Sequence, residues 1–117
     1  MRKRLSLKSY YDSLSIEEKE KLTEIKNLCL DMMRQYGVGH FKFRYGIYQY
    51  RLGWCSGDNT IGLEVRFVVT TDIQIIKKVI LHEIAHAIVG IKEGHGQVWI
   101  DKARELGGYA EPKISRY

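Results

Sequence analysis

The residues best spaced to do chemistry are two histidines one helical turn apart with a glutamate beside the first, in His82-Glu83-Ile84-Ala85-His86. On a helix, positions four apart project from the same face, so two imidazoles placed there can grip one metal ion. Glu83 lies to the side of that pair, where its carboxylate can reach a water on the metal without itself being a ligand. His95 follows, flanked by Gly94 and Gly96, where a loop can swing a third imidazole over the first two. Three protein nitrogens leave the fourth tetrahedral position open, which distinguishes a catalytic zinc from a structural one. The expected site is therefore Zn²⁺ held by His82, His86 and His95, with Glu83 as general base.

Such a site needs a rigid helix beneath it. Thr71-Asp72-Ile73-Gln74 reads as a capping box that opens one. Ile73, Ile76, Val79, Ile80, Ile84, Ala87 and Ile88 cover much of its circumference, and Gly90 is its stop. Gln97 to Leu106 forms a shorter helix anchored by Trp99 and ended by Gly107-Gly108, leaving residues 109–117 as a tail. Upstream, Ser15-Ile16-Glu17-Glu18 is another capping box. It starts an amphipathic helix from about residue 15 to 36, with Leu22, Ile25, Leu28, Cys29, Met32, Met33 and Tyr36 as core and Gly37 as the stop. The period then changes from three-to-four to two. Phe41, Phe43 and Tyr45 alternate with Lys42 and Arg44; Tyr48, Tyr50 and Leu52 alternate with Gln49 and Arg51. After the turn cluster Ser56-Gly57-Asp58-Asn59, residues Thr60 to Phe67 carry Ile61, Leu63 and Val65 on one face. Three strands in a small antiparallel meander are expected.

Composition bounds the rest. A chain of 117 residues with 44% apolar content and one proline is a single domain with one modest core, spanning residues 1–117. No run approaches the roughly 18 apolar residues a membrane helix needs. Polar Ser6, Lys8 and Ser9 interrupt what would be a signal peptide after Met1-Arg2-Lys3-Arg4, so a cytoplasmic protein with no membrane partner is expected. Residues 2–8 read either as a basic docking arm or as a frayed terminus. Cys29 and Cys55 are expected to be reduced and packed. The formal charge of +5 permits attraction to nucleic acid without requiring it. Lys42, Arg44, Arg51 and Arg66 interleave with Phe41, Phe43, Tyr45, Tyr48 and Tyr50, which could track phosphates and stack bases or be the solvated face of amphipathic strands.

With these elements in place, the chain resembles the SprT-like family of zincin metalloproteases, related to the SprT and Spartan proteases. The matching residues are His82-Glu83-Ile84-Ala85-His86, Gly94-His95-Gly96-Gln97-Val98-Trp99 and Ala103-Arg104-Glu105-Leu106-Gly107, with weaker likeness around Arg51-Leu52-Gly53-Trp54-Cys55 and Ile61-Gly62-Leu63. The likeness covers roughly residues 10 to 108. It implies an α+β zincin-like fold: an N-terminal helix, a three-stranded antiparallel sheet, the metal-binding helix and a short helix after it.

It also implies a zinc metalloendopeptidase that cleaves protein or peptide substrate, including protein crosslinked to single- or double-stranded DNA. Metzincin spacing does not fit, because Val89 and Lys92 stand where that group has glycine and histidine. A gluzincin-like arrangement would make Glu105 the third ligand in place of His95, with Glu93 and Asp101 as solvated or supporting groups. Bacterial SprT proteins carry a cysteine-rich zinc ribbon after the protease domain. No cysteine follows Cys55, so a bare catalytic domain is expected.

In the expected reaction Glu83 takes the water's proton during attack on a peptide carbonyl and passes it to the leaving amine. Tyr109 and Tyr45 are the candidates for a second electrophile. The competing reading is a zincin-fold module that binds metal or nucleic acid without cleaving. Oligomeric state is not legible.

Overall fold

The structure, a computed structural model, describes residues 5–112. Arg2, Lys3 and Arg4 of the basic arm and residues 113–117 of the tail lie outside the described residues. A six-residue helix, α1 (Leu7–Asp12), comes first, capped by the Ser6 hydroxyl on the Ser9 amide. The long helix α2 (Ile16–Gln35) has the expected capping box. Ser15 Oγ accepts from the Glu18 amide at 3.1 Å, and the Glu18 carboxylate accepts from the Ser15 amide at 2.9 Å. Its stripe of Leu22, Ile25, Cys29 and Met33 is buried.

The strands are β1 (Lys42–Gly46), β2 (Gly53–Ser56) and β3 (Thr60–Glu64), in the spatial order β1-β3-β2. β3 pairs parallel with β1 and antiparallel with β2. The expected antiparallel meander is therefore corrected to a mixed sheet with the last strand in the middle. β3 is buried along its whole length, as a strand with two neighbours and a helix beneath it must be.

Tyr48 to Leu52 is a loop despite its alternation. The Tyr48 amide donates to the Glu64 carboxylate at 3.1 Å, and the Tyr48 carbonyl accepts from Arg66 at 3.2 Å. Side chains thus satisfy backbone groups that a ladder would otherwise pair. The strand expected to run to Phe67 stops at Glu64 for a related reason. Glu64 caps α3 (Val65–Thr70), accepting from the Arg66 and Phe67 amides. That cap and the burial of Val65 and Val68 override the low helix propensity of a valine-rich segment.

The helix α4 (Ile73–Val89) packs under β2 and β3, against α2 on one side and α5 (Gln97–Leu106) on the other. Its cap is Asp72, whose carboxylate accepts from the Gln74 amide, and not Thr71. The buried face is narrower than the apolar spacing implies, since Ile73 and Ile88 are 41% and 37% exposed. Ile76, Val79, Ile80 and Ile84 join Ile61 and Leu63 of β3 and the α2 stripe in the main core. Cys29 and Cys55 are both free and buried, as expected, and burial first, then the charge of Glu83, pushes each thiol up to about 12. At that value they stay protonated and inert. Among the described residues no helix is long and apolar enough to cross a membrane.

Candidate metal centre

The buried face of α4 continues past its isoleucines into His82, Glu83 and His86, all fully buried. A rigid, packed helix at this point fixes two imidazoles one turn apart, their ring centroids separated by 5.1 Å. The chain then reverses. Gly90 and Gly94 take positive φ values of 92° and 53°, and a single 3₁₀ turn (Ile91–Glu93) lies between them. Residues with a Cβ rarely adopt such angles, so these glycines let His95 return over α4. Its ring centroid stands 4.8 Å from that of His86 and 5.7 Å from that of His82. One ligand nitrogen from each of the three lies within 4.8 Å of the others.

The donor set fits a metal of the zinc kind: three imidazoles, and in neutral form. His82 is held down to about 4, by burial first, partly offset by its bond to the Tyr109 carbonyl. His86 is held down to about 3 by burial and then by the two neighbouring rings, and burial also lowers His95. His82 Nδ1 lies 2.9 Å from the Tyr109 carbonyl oxygen. A carbonyl only accepts, so Nδ1 carries the proton and Nε2 is left with its lone pair for a cation. Residue 109, expected as the start of a tail or as an electrophile, contributes its backbone.

The rings also share a wall. Trp99 of α5 is fully buried, with its ring centroid 4.6 Å from each of the three imidazole centroids. It lies nearly parallel to His86, at 11°, and its indole N–H donates to the His82 carbonyl at 3.3 Å. Glu83 Oε2 stands 3.9 Å from His82 Nε2. Above that carboxylate is Gly53 of β2, where an added Cβ would come within 3.0 Å of Glu83 Oε2. A side chain here would push the carboxylate or the facing Gly62 carbonyl aside, so glycine eases the close approach of the strand. Neither Gly53 nor the Tyr109 carbonyl carries a signal of this role in the sequence.

Other sequence candidates fall elsewhere. Glu105 has a 63% exposed side chain and pairs with Lys102 at 2.5 Å, and Asp101 accepts from Gln97 at 2.7 Å. Glu93 is exposed. The Tyr45 hydroxyl donates to the Leu22 carbonyl at 2.6 Å, tying β1 to α2. Of the basic and aromatic residues, Arg51 lies over the Tyr48 ring at 4.0 Å and Arg66 is paired with Glu64 at 3.2 Å. Phe41, Phe43 and Tyr45 are partly buried against the core, while Lys42, Arg44 and Tyr50 are exposed.

The lowered histidines make a prediction for the metal-free protein. An unfolded chain takes protons on these rings near pH 6.5, whereas the native rings resist until about 4 and about 3. Between those limits the unfolded state binds more protons, so stability falls as pH falls. The melting temperature of chelated protein should already decline between about pH 6.5 and 5, above the usual carboxylate range. A flat profile there would contradict the neutral, buried histidines.

Fold and site together define an α+β domain in which a buried helix and a returning loop bring three histidines to one possible metal position. The SprT-like family model matches residues 17–117, nearly the whole chain, and the protein belongs to that family. The family is one of metallopeptidase-type domains. No curated protein and no solved structure matches the chain.

Proposed function

We propose that this protein is a zinc-dependent metallopeptidase of the zincin type, with His82, His86 and His95 as ligands and Glu83 as general base. What supports the reading most is three neutral imidazoles converging within 4.8 Å beside a buried carboxylate that is not one of the converging donors. A structural zinc site fills all four positions with protein. Among the described residues three side chains converge, and the adjacent carboxylate serves as a base. When bound, Zn²⁺ supplies Lewis acidity toward a peptide carbonyl and toward an attacking water.

The rest is done by the chain itself. Tyr109 and Trp99 hold the rings in orientation. Glu83 accepts a proton from the water as its oxygen bonds to the carbonyl carbon, and returns it to the amine nitrogen as the C–N bond breaks. The targets implied by the resemblance, proteins crosslinked to DNA, are part of the proposal. Lys42 and Arg44 on β1 are exposed cations available to phosphate.

The test is hydrolysis of casein by zinc-loaded protein, run with chelator and with and without single-stranded DNA. Chelation should abolish cleavage and added zinc restore it. Stimulation by DNA that fades with added salt would support the DNA-associated substrate. Stoichiometric zinc with no hydrolysis under any condition would leave a metal-binding module in its place.

A further inference from the structure

A cavity of about 490 Å³ opens beside the candidate metal centre, between the β2–β3 turn and the C-terminal end of α4. His86 belongs both to its lining and to the three-histidine cluster, so the cavity adjoins the candidate metal centre. Phe41, Ala87, Val89 and Ile91 supply apolar wall, and each is only half-buried. Among the described residues none fills the concavity that they line. Lys92 and Glu93 also line it, exposed and opposite in charge, so neither sign is favoured. A volume of this size falls within the range of small-ligand pockets, roughly 300–1,000 Å³, and takes one large side chain with room to spare. A second cavity, of about 520 Å³, is lined by Tyr48–Leu52, Glu64, Arg66 and Phe67 and touches none of the three histidines.

We propose that the cavity beside His86 is a side-chain pocket selecting a large aromatic or branched aliphatic residue next to the scissile bond. The proposal rests on the peptidase reading above. An apolar side chain entering the pocket leaves water and covers Val89 and Ile91 at once. A charged side chain would lose hydration there and gain only screened, exposed partners. Apolar contacts of this kind discriminate by about 10–200-fold per step in size.

The experiment uses blocked peptides identical except for Phe, Leu, Ala or Asp beside the cleaved bond. With zinc-loaded wild type, kcat/KM for the Phe or Leu peptide should exceed that for the Ala peptide by about 10–100-fold. Val89→Trp narrows the cavity and should pull that ratio toward unity. Ile91→Ala widens it and should move the preference from Leu toward Phe, which guards against misfolding of the first variant. Binding of the same peptides to Glu83→Gln protein gives a readout without turnover, with the Phe peptide about 10-fold tighter than the Ala peptide. Equal cleavage, equal binding, no binding of either peptide, or ratios unmoved in both variants would overturn the pocket. Selective binding with no cleavage by wild type would instead overturn the peptidase reading and leave the pocket as a recognition site.

Discussion

Glu83→Gln should abolish peptide hydrolysis, lowering kcat by about 10²–10⁴-fold, while zinc remains bound at wild-type stoichiometry. Glutamine matches glutamate in size, so it occupies the same fully buried space beneath Gly53 without a clash. An amide cannot accept a proton from water, so the substitution removes the proposed base while keeping the side chain's size. The three imidazoles are untouched, because Glu83 is not one of the converging donors. Metal content measured on the same sample as casein turnover separates the two roles. Undiminished turnover with zinc in place would end the assignment of Glu83 as base. Loss of zinc together with activity would make Glu83 a ligand. Glu105→Gln is the matching control: its side chain is 63% exposed and engaged with Lys102, so both quantities should be unchanged.

The difference between what the sequence reveals and what it conceals follows from which interactions are local. Ser15 and Glu18 announce α2 because a capping box is closed by residues three apart. His82, His86 and the glycines ahead of His95 announce the three-histidine cluster because a helical turn and a reversing loop are short-range geometry. Sheet order is not local. Tyr48 to Leu52 alternates like a strand, yet Glu64 and Arg66, far along the chain, take its backbone groups. The same Glu64 caps α3 and so ends the strand that Ile61, Leu63 and Val65 begin. Positioning of His82 by the Tyr109 carbonyl is equally hidden, since every residue has a carbonyl. Gly53 reads as one glycine among eleven until β2 is seen lying on Glu83.

Trp99 carries the second large effect. Trp99→Ala removes a fully buried indole and leaves a cavity among His82, His86 and His95. Deleting an aromatic side chain from a core costs about 3–5 kcal/mol, a large part of the roughly 5–15 kcal/mol that holds a domain folded. The melting temperature of the chelated variant should therefore fall steeply, and an unchanged value would refute the packing role. A second loss follows from geometry. His86 stacks on the indole at 11°, and the His82 ring packs edge-to-face against it while the indole N–H donates to the His82 main-chain carbonyl. Without that wall the rings rotate more freely, and ordering them around a metal costs entropy that the wild type has already lost in folding. Zinc affinity should drop by about 10–100-fold, the usual consequence of removing a group that orients ligands. Trp99→Phe distinguishes the two effects. It keeps most of the buried volume but loses the N–H donor, so stability should recover substantially while the contact to His82 stays broken. Competition with a zinc chelator, measured for both variants at a temperature where each is folded, decides the matter. If Trp99→Ala binds zinc as tightly as wild type, the indole serves the core alone and the imidazoles are positioned by α4 and the loop around His95.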